Sequence, residues 1–113
     1  MQPYRYASPN IPLAAIRRFA RRIAERFQPD KIILFGSAAR GTMGPDSDVD
    51  LLVIKDGRFH RRRVTTAIYR QLAGADAPVD VVVVTPDEIE RYRNTPCLVI
   101  YPALREGKVV YGA

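Results

Sequence analysis

Two aspartates one residue apart, Asp48 and Asp50, open an apolar run, Leu51-Leu52-Val53-Ile54, and a Gly-Ser pair, Gly36-Ser37, closes another, Ile32-Ile33-Leu34-Phe35. This arrangement sets chemistry-bearing residues at the ends of two apolar, strand-like runs. Residues two apart in a strand project to the same face, so Asp48 and Asp50 would present two carboxylates about 6 to 7 Å apart. That pair suits a shared divalent cation. The small residues of the Gly36-Ser37 turn leave room for a phosphate to approach backbone N–H groups. Metal and phosphate together point to nucleotide chemistry.

A third carboxylate extends the pattern. Asp80 is embedded in Pro78-Val79-Asp80-Val81-Val82-Val83-Val84. An unpaired charge in so apolar a run costs several kcal/mol if it is buried, and a cation or a proton to be moved would offset that cost. If the strand carrying Asp80 lies beside the strand opened by Asp48, the three acids converge.

The rest of the chain alternates helix and strand. Residues 1–11 read as an irregular arm broken by Pro3, Pro9 and Asn10. From Pro12 to Phe27 a helical period puts Ile16, Ala20, Ile23 and Phe27 on one stripe. Lys31 to Phe35 is a strand, Gly36 to Arg40 a turn entering a short helix, Gly41 to Ser47 a loop, and Asp48 to Ile54 the second strand. A helix is expected over Arg58 to Leu72, with Val64, Ala67, Ile68 and Leu72 inward, and a third strand over Val79 to Val84. Thr85-Pro86-Asp87-Glu88 combines an N-cap, a proline in the first turn and a capping-box glutamate, and the helix it starts ends near Asn94. A last helix from Pro96 to Glu106, capped by Gly107, leads to a short strand, Lys108 to Tyr111. This order implies one α/β (α+β) domain over residues 1–113, a small mixed sheet with helices packed on one face.

Composition narrows the setting. No apolar stretch is long enough to span a bilayer, and Met1 to Tyr6 lacks the apolar core of a leader peptide. A lone cysteine, Cys97, cannot form an internal disulfide, so a cytoplasmic location is expected. Cys97 itself reads as core filler. The net charge of +6 attracts anionic partners without choosing among them. Much of the excess lies in Arg17-Arg18, Arg21-Arg22 and Arg61-Arg62-Arg63. The plain reading of these clusters is a solvated helix face; the sharper one is a docking surface for an anion. His60, beside three arginines, reads as an exposed residue.

The pattern Phe35-Gly36-Ser37, a ten-residue spacer, then Asp48-Val49-Asp50-Leu51 resembles the minimal nucleotidyltransferases of the DNA polymerase beta-like superfamily, the antitoxin-type members above all. The resemblance spans nearly the whole chain. It implies that Gly36 and Ser37 hold nucleotide phosphates, that Arg40 lies near the triphosphate, and that Asp48, Asp50 and Asp80 are the catalytic acids. It further implies that these three acids ligate two Mg²⁺ ions, with ATP as substrate. Stand-alone domains of this kind are similar to the antitoxin half of toxin–antitoxin pairs, in which AMP is attached to a tyrosine of a HEPN-type toxin.

Each element also has a plainer reading. Ser37 could be a helix N-cap, Asp48 and Asp50 solvated charges at a strand edge, and Arg40 a salt-bridge partner of Asp46 or Asp48. The competing functions are a non-catalytic module that neutralises a partner by contact, and transfer to a small molecule or an RNA end, for which an oligomer could build the acceptor pocket. The basic segments lack the interleaved aromatics of single-strand binders, so direct nucleic-acid binding is not favoured.

Overall fold

Alternation along the strands decides how the layers stack. A computed structural model of the chain describes residues 13–36, 39, 49–72, 79–96 and 99–112. Among these, helix α1 spans Leu13–Phe27, strand β1 Lys31–Phe35, strand β2 Val49–Ile54, helix α2 Arg61–Gln71 and strand β3 Val79–Val84. Helix α3 spans Pro86–Tyr92, helix α4 Ile100–Glu106 and strand β4 Lys108–Tyr111. The strands form one sheet in the order β3-β2-β1-β4. β1 is antiparallel to both its neighbours, and β2 and β3 run parallel. The mixed sheet is the one expected from the alternation of helix and strand.

Where the helices lie differs from expectation. Ile32 and Leu34 of β1, Val49, Leu51 and Val53 of β2, and Val81 and Val83 of β3 pack with Ile16, Ala20 and Ile23 of α1 and Ile68 of α2. The residues of opposite parity, Ile33, Phe35, Leu52, Ile54 and Val84, pack with Ile100 and Ala103 of α4. Ile89 and Tyr92 of α3 join that second cluster. Helices therefore cover both faces, not one. The cause is legible in β1 and β2, which are apolar at both parities, as strands between two helical layers are.

Local boundaries follow from caps. Gln28 adopts a left-handed φ of 51° and its N–H donates to the Ala24 carbonyl at 2.9 Å, ending α1 just before Pro29. α2 begins at Arg61 and not at Arg58. His60 is its N-cap, in extended conformation, and its Nδ1 accepts from the Arg63 N–H at 3.3 Å. The lone histidine is exposed, as expected, and also caps a helix. At the end of α4, Gly107 is extended, with φ −76°, so it is not there for a left-handed turn. A Cβ on it would collide with the Ala103 carbonyl and the Ile33 side chain, so close packing requires the glycine. The N-terminal arm, the loop over 41–47, the segment over 73–77 and Cys97 lie outside the described residues. No helix among the described residues is long and apolar enough to cross a membrane.

The start of α3 has the capping box anticipated from its sequence. The Thr85 hydroxyl accepts from the Glu88 N–H at 3.2 Å, and the Glu88 carboxylate accepts from the Thr85 N–H at 2.9 Å. Glu88 also pairs with Arg61 at 2.7 Å, tying α3 to the first turn of α2. Burial pushes the Glu88 carboxyl up, but the Thr85 N–H and the Arg61 guanidinium outweigh it and hold the group below its usual range. A carboxyl lowered on folding contributes stability above its unfolded pKa and loses it as pH falls through the folded value. Thr85→Ala should therefore cost about 1 kcal/mol in denaturant unfolding. Between about pH 5 and pH 3 the parent should lose stability more steeply than Glu88→Gln does.

Candidate functional site

Three chain segments meet at one end of the sheet: the C-terminal end of β1 and the N-terminal ends of β2 and β3. β2 and β3 pair in parallel with Asp50 directly opposite Asp80. Cross-strand partners share a face, so both carboxylates belong to the parity of Leu52, Ile54 and Val84, the face covered by α3 and α4. Their Cα atoms are neighbours across one strand spacing, roughly 5 Å. Asp50 is half-buried and Asp80 exposed. The convergence of strands inferred from the two apolar runs is thus realised for these two acids.

On the other side of β2, Phe35 is the register partner of Asp50, and Gly36 follows it. Gly36 has φ +76°, the left-handed region that glycine enters without a steric penalty. The Asp50 carboxylate lies against it so closely that a Cβ at this position would collide with Asp50 Oδ2. The Gly36 carbonyl then accepts from the Ala39 N–H at 3.1 Å, and Ala39 is helical and buried in the core with Ile32 and Leu34. β1 thus ends in a turn at Gly36, and the Asp50 carboxylate lies against that glycine.

Ser37, Arg40 and Asp48 lie outside the described residues. The structure thus brings together Gly36, Asp50 and Asp80 of the six residues singled out in the sequence. Among the described residues, no three His, Cys, Asp or Glu side chains gather closely enough to hold a metal ion, Asp48 not being one of them. The two acids that are described fit a hard divalent cation: both offer carboxylate oxygens, from neighbouring strands, on one face. Like charges opposite one another destabilise a sheet, a cost that a bound cation offsets.

One contributor escaped the sequence reading. β3 is an edge strand, so alternate backbone groups face outward. The Val81 N–H, next to Asp80, donates to the Tyr69 hydroxyl of α2 at 2.9 Å. Tyr69 thereby pins the edge strand where Asp80 leaves it. Its place on the exposed side of α2, 12 residues back along the chain, carries no sequence signal for this contact.

The sequence model of the nucleotidyltransferase domain family matches residues 16–109. Among solved structures, one described as a nucleotidyltransferase from Sulfolobus solfataricus superposes with a TM-score of 0.61 at 19% identity, over 95% of this chain and 90% of that one. A toxin–antitoxin complex with AMP-PNP gives 0.56 at 20% identity, over 86% of this chain and 73% of the other. A mutant of the MntA–HpeT toxin–antitoxin gives 0.61 at 18% identity with the same coverage. No curated protein matches.

The contact between Gly36 and Asp50 can be measured. Gly36→Ala should cost about 2 kcal/mol or more in denaturant unfolding, from the left-handed φ and the collision together. In an Asp50→Ala background the same change should cost about 1 kcal/mol, because only the backbone strain remains. Equal costs in both backgrounds would contradict the packing.

Proposed function

Since the chain belongs to the nucleotidyltransferase domain family, we propose that it transfers AMP from ATP to a hydroxyl on a partner protein, with Asp48, Asp50 and Asp80 as the acidic centre. What supports this reading above all is the register that sets Asp50 opposite Asp80 with Gly36 against the Asp50 carboxylate. The Gly36 backbone lies against Asp50, and a triphosphate held beside the acids needs backbone at such close approach. Gly36, Ser37 and Arg40 hold the phosphates, Arg40 through the planar fork that suits phosphate oxygens.

Asp48, Asp50 and Asp80 would hold Mg²⁺, which would supply neutralisation of charge at the α-phosphate. The chain's own part is orientation. A half-buried Asp50 anchored in the Gly36 turn is fixed in position, whereas an exposed Asp80 at a strand end reaches an incoming hydroxyl. The acceptor oxygen attacks the α-phosphorus, the bond to the bridging oxygen breaks, and pyrophosphate leaves. The proton of the hydroxyl passes to Asp80 and then to water. Tyr69 keeps the backbone beside Asp80 from shifting.

A protein acceptor fits a domain whose described residues are used up by one small sheet and its covering helices. The toxin–antitoxin complexes that share the fold favour a toxin as that acceptor, and a HEPN-type toxin tyrosine is the specific form of the proposal. The chain then acts as an antitoxin in the cytoplasm.

The test is incubation of the purified chain with ATP labelled at the α-phosphate, Mg²⁺ and the candidate toxin. Label should pass to the toxin protein, and Asp50→Asn and Asp80→Asn should each lower the rate by at least about 1000-fold while circular dichroism stays unchanged. Mg²⁺ should raise the melting temperature of the parent and leave that of Asp50→Asn unmoved. Label on RNA would redirect the acceptor assignment, and full activity in a folded Asp50→Asn variant would overturn the site.

A further inference from the structure

α1 and α2 share the sheet face opposite Asp50 and Asp80, and they carry more than the chain's whole surplus of positive charge. Together they hold nine arginines and one acid, Glu25. The net charge of the full chain is +6, so everything outside the two helices is slightly acidic. Arg22 Nη2 donates to the Gln71 carbonyl at 2.6 Å, which draws the C-terminal half of α1 onto the last turn of α2. Beside this contact is a cavity of about 260 Å³ lined by Arg22, Arg26, Ala67, Arg70 and Gln71. Arg70 also borders a second cavity, of about 420 Å³, with Arg62, Arg63 and Thr66. The two form one groove along α2.

Arg61, next in sequence, is bound to Glu88. Among the described residues, none of the five groove arginines makes an ion pair. Crowded guanidinium groups of one sign repel, and an anion laid along them relieves the repulsion. Every cation among the described residues lining the groove is an arginine, whose fork holds phosphate and carboxylate oxygens alike two at a time. Two features favour a phosphate backbone over an acidic protein. No large apolar side chain is among the described residues lining the groove, whereas a protein interface centres on such residues. Among the described residues lining it there is no aromatic ring for an unpaired base to stack on, which favours the backbone of paired strands.

The geometry points to a docking site for the phosphate backbone of a nucleic-acid duplex, bound for its charge and not its sequence, on the side of the sheet away from the acidic centre. The site uses none of the residues assigned to nucleotidyl transfer, so it stands or falls apart from that reaction.

Fluorescence anisotropy with a labelled, mixed-sequence RNA duplex two helical turns long tests it. Affinity should fall by roughly 100-fold or more between about 50 and about 200 mM salt, as release of counterions from four or five phosphates requires. Arg62→Gln/Arg63→Gln/Arg70→Gln should reduce the slope of log affinity against log salt by about 3. Arg91→Gln/Arg93→Gln/Arg105→Gln, which removes the same charge from α3, α4 and the segment between them, should leave the slope nearly unchanged. Polyglutamate of equal charge should compete far less well than unlabelled duplex. No binding at the lower salt, an equal loss in the two triple variants, or polyglutamate competing as well as the duplex would overturn the inference. The parent's salt slope and the polyglutamate competition remain decisive if a triple variant fails to fold.

Discussion

A slip of one residue between β2 and β3 would turn every side chain of β3 to the other face of the sheet. Asp80 would then point toward α1 and α2, and Val81 and Val83 would leave the core they share with Ile16, Ile23 and Ile68. Burial of those valines therefore holds Asp80 opposite Asp50. The hydrophobic term is large and non-directional; the pleat converts it into the placement of a carboxylate. The same logic holds on the other side of β2, where pairing with β1 sets Phe35 opposite Asp50 and delivers the Gly36 turn to its carboxylate.

The two faces of the sheet have separate work. The face under α3 and α4 ends in the two aspartates, and the capping box at Thr85 and Glu88 anchors the helix that begins directly after β3. The face under α1 and α2 is sealed by an apolar stripe whose reverse side is rich in arginine. Asp50 and Asp80 thus belong to one face of the sheet, and the arginine-bearing helices α1 and α2 cover the other.

Several elements could be read directly from residue order. The stripe of Ile16, Ala20 and Ile23, the runs of β1, β2 and β3, and the capping box at Thr85 are local signals, set by period, β-branching and side-chain hydrogen bonding to nearby backbone. The start of α2 was less legible. Asp56-Gly57 marks a break, but whether Arg58 or Arg61 opens the helix depends on His60 acting as a cap and on Phe59 turning into the core. The layer arrangement was misjudged because alternating helices and strands say how many helices there are, not to which side of the sheet each one crosses.

Residue order alone determined the family: Phe35-Gly36-Ser37, a ten-residue spacer, then Asp48-Val49-Asp50, with Asp80 in a later apolar run. Only the tertiary structure decided which strands are neighbours, that Asp50 faces Asp80, that the Tyr69 hydroxyl holds the edge of β3, and that Arg22, Arg26 and Arg70 line one groove. Strand and helix propensities act over a few residues, whereas these contacts join segments far apart in the chain. Their positions are set by core packing across the whole sheet, which no local pattern encodes.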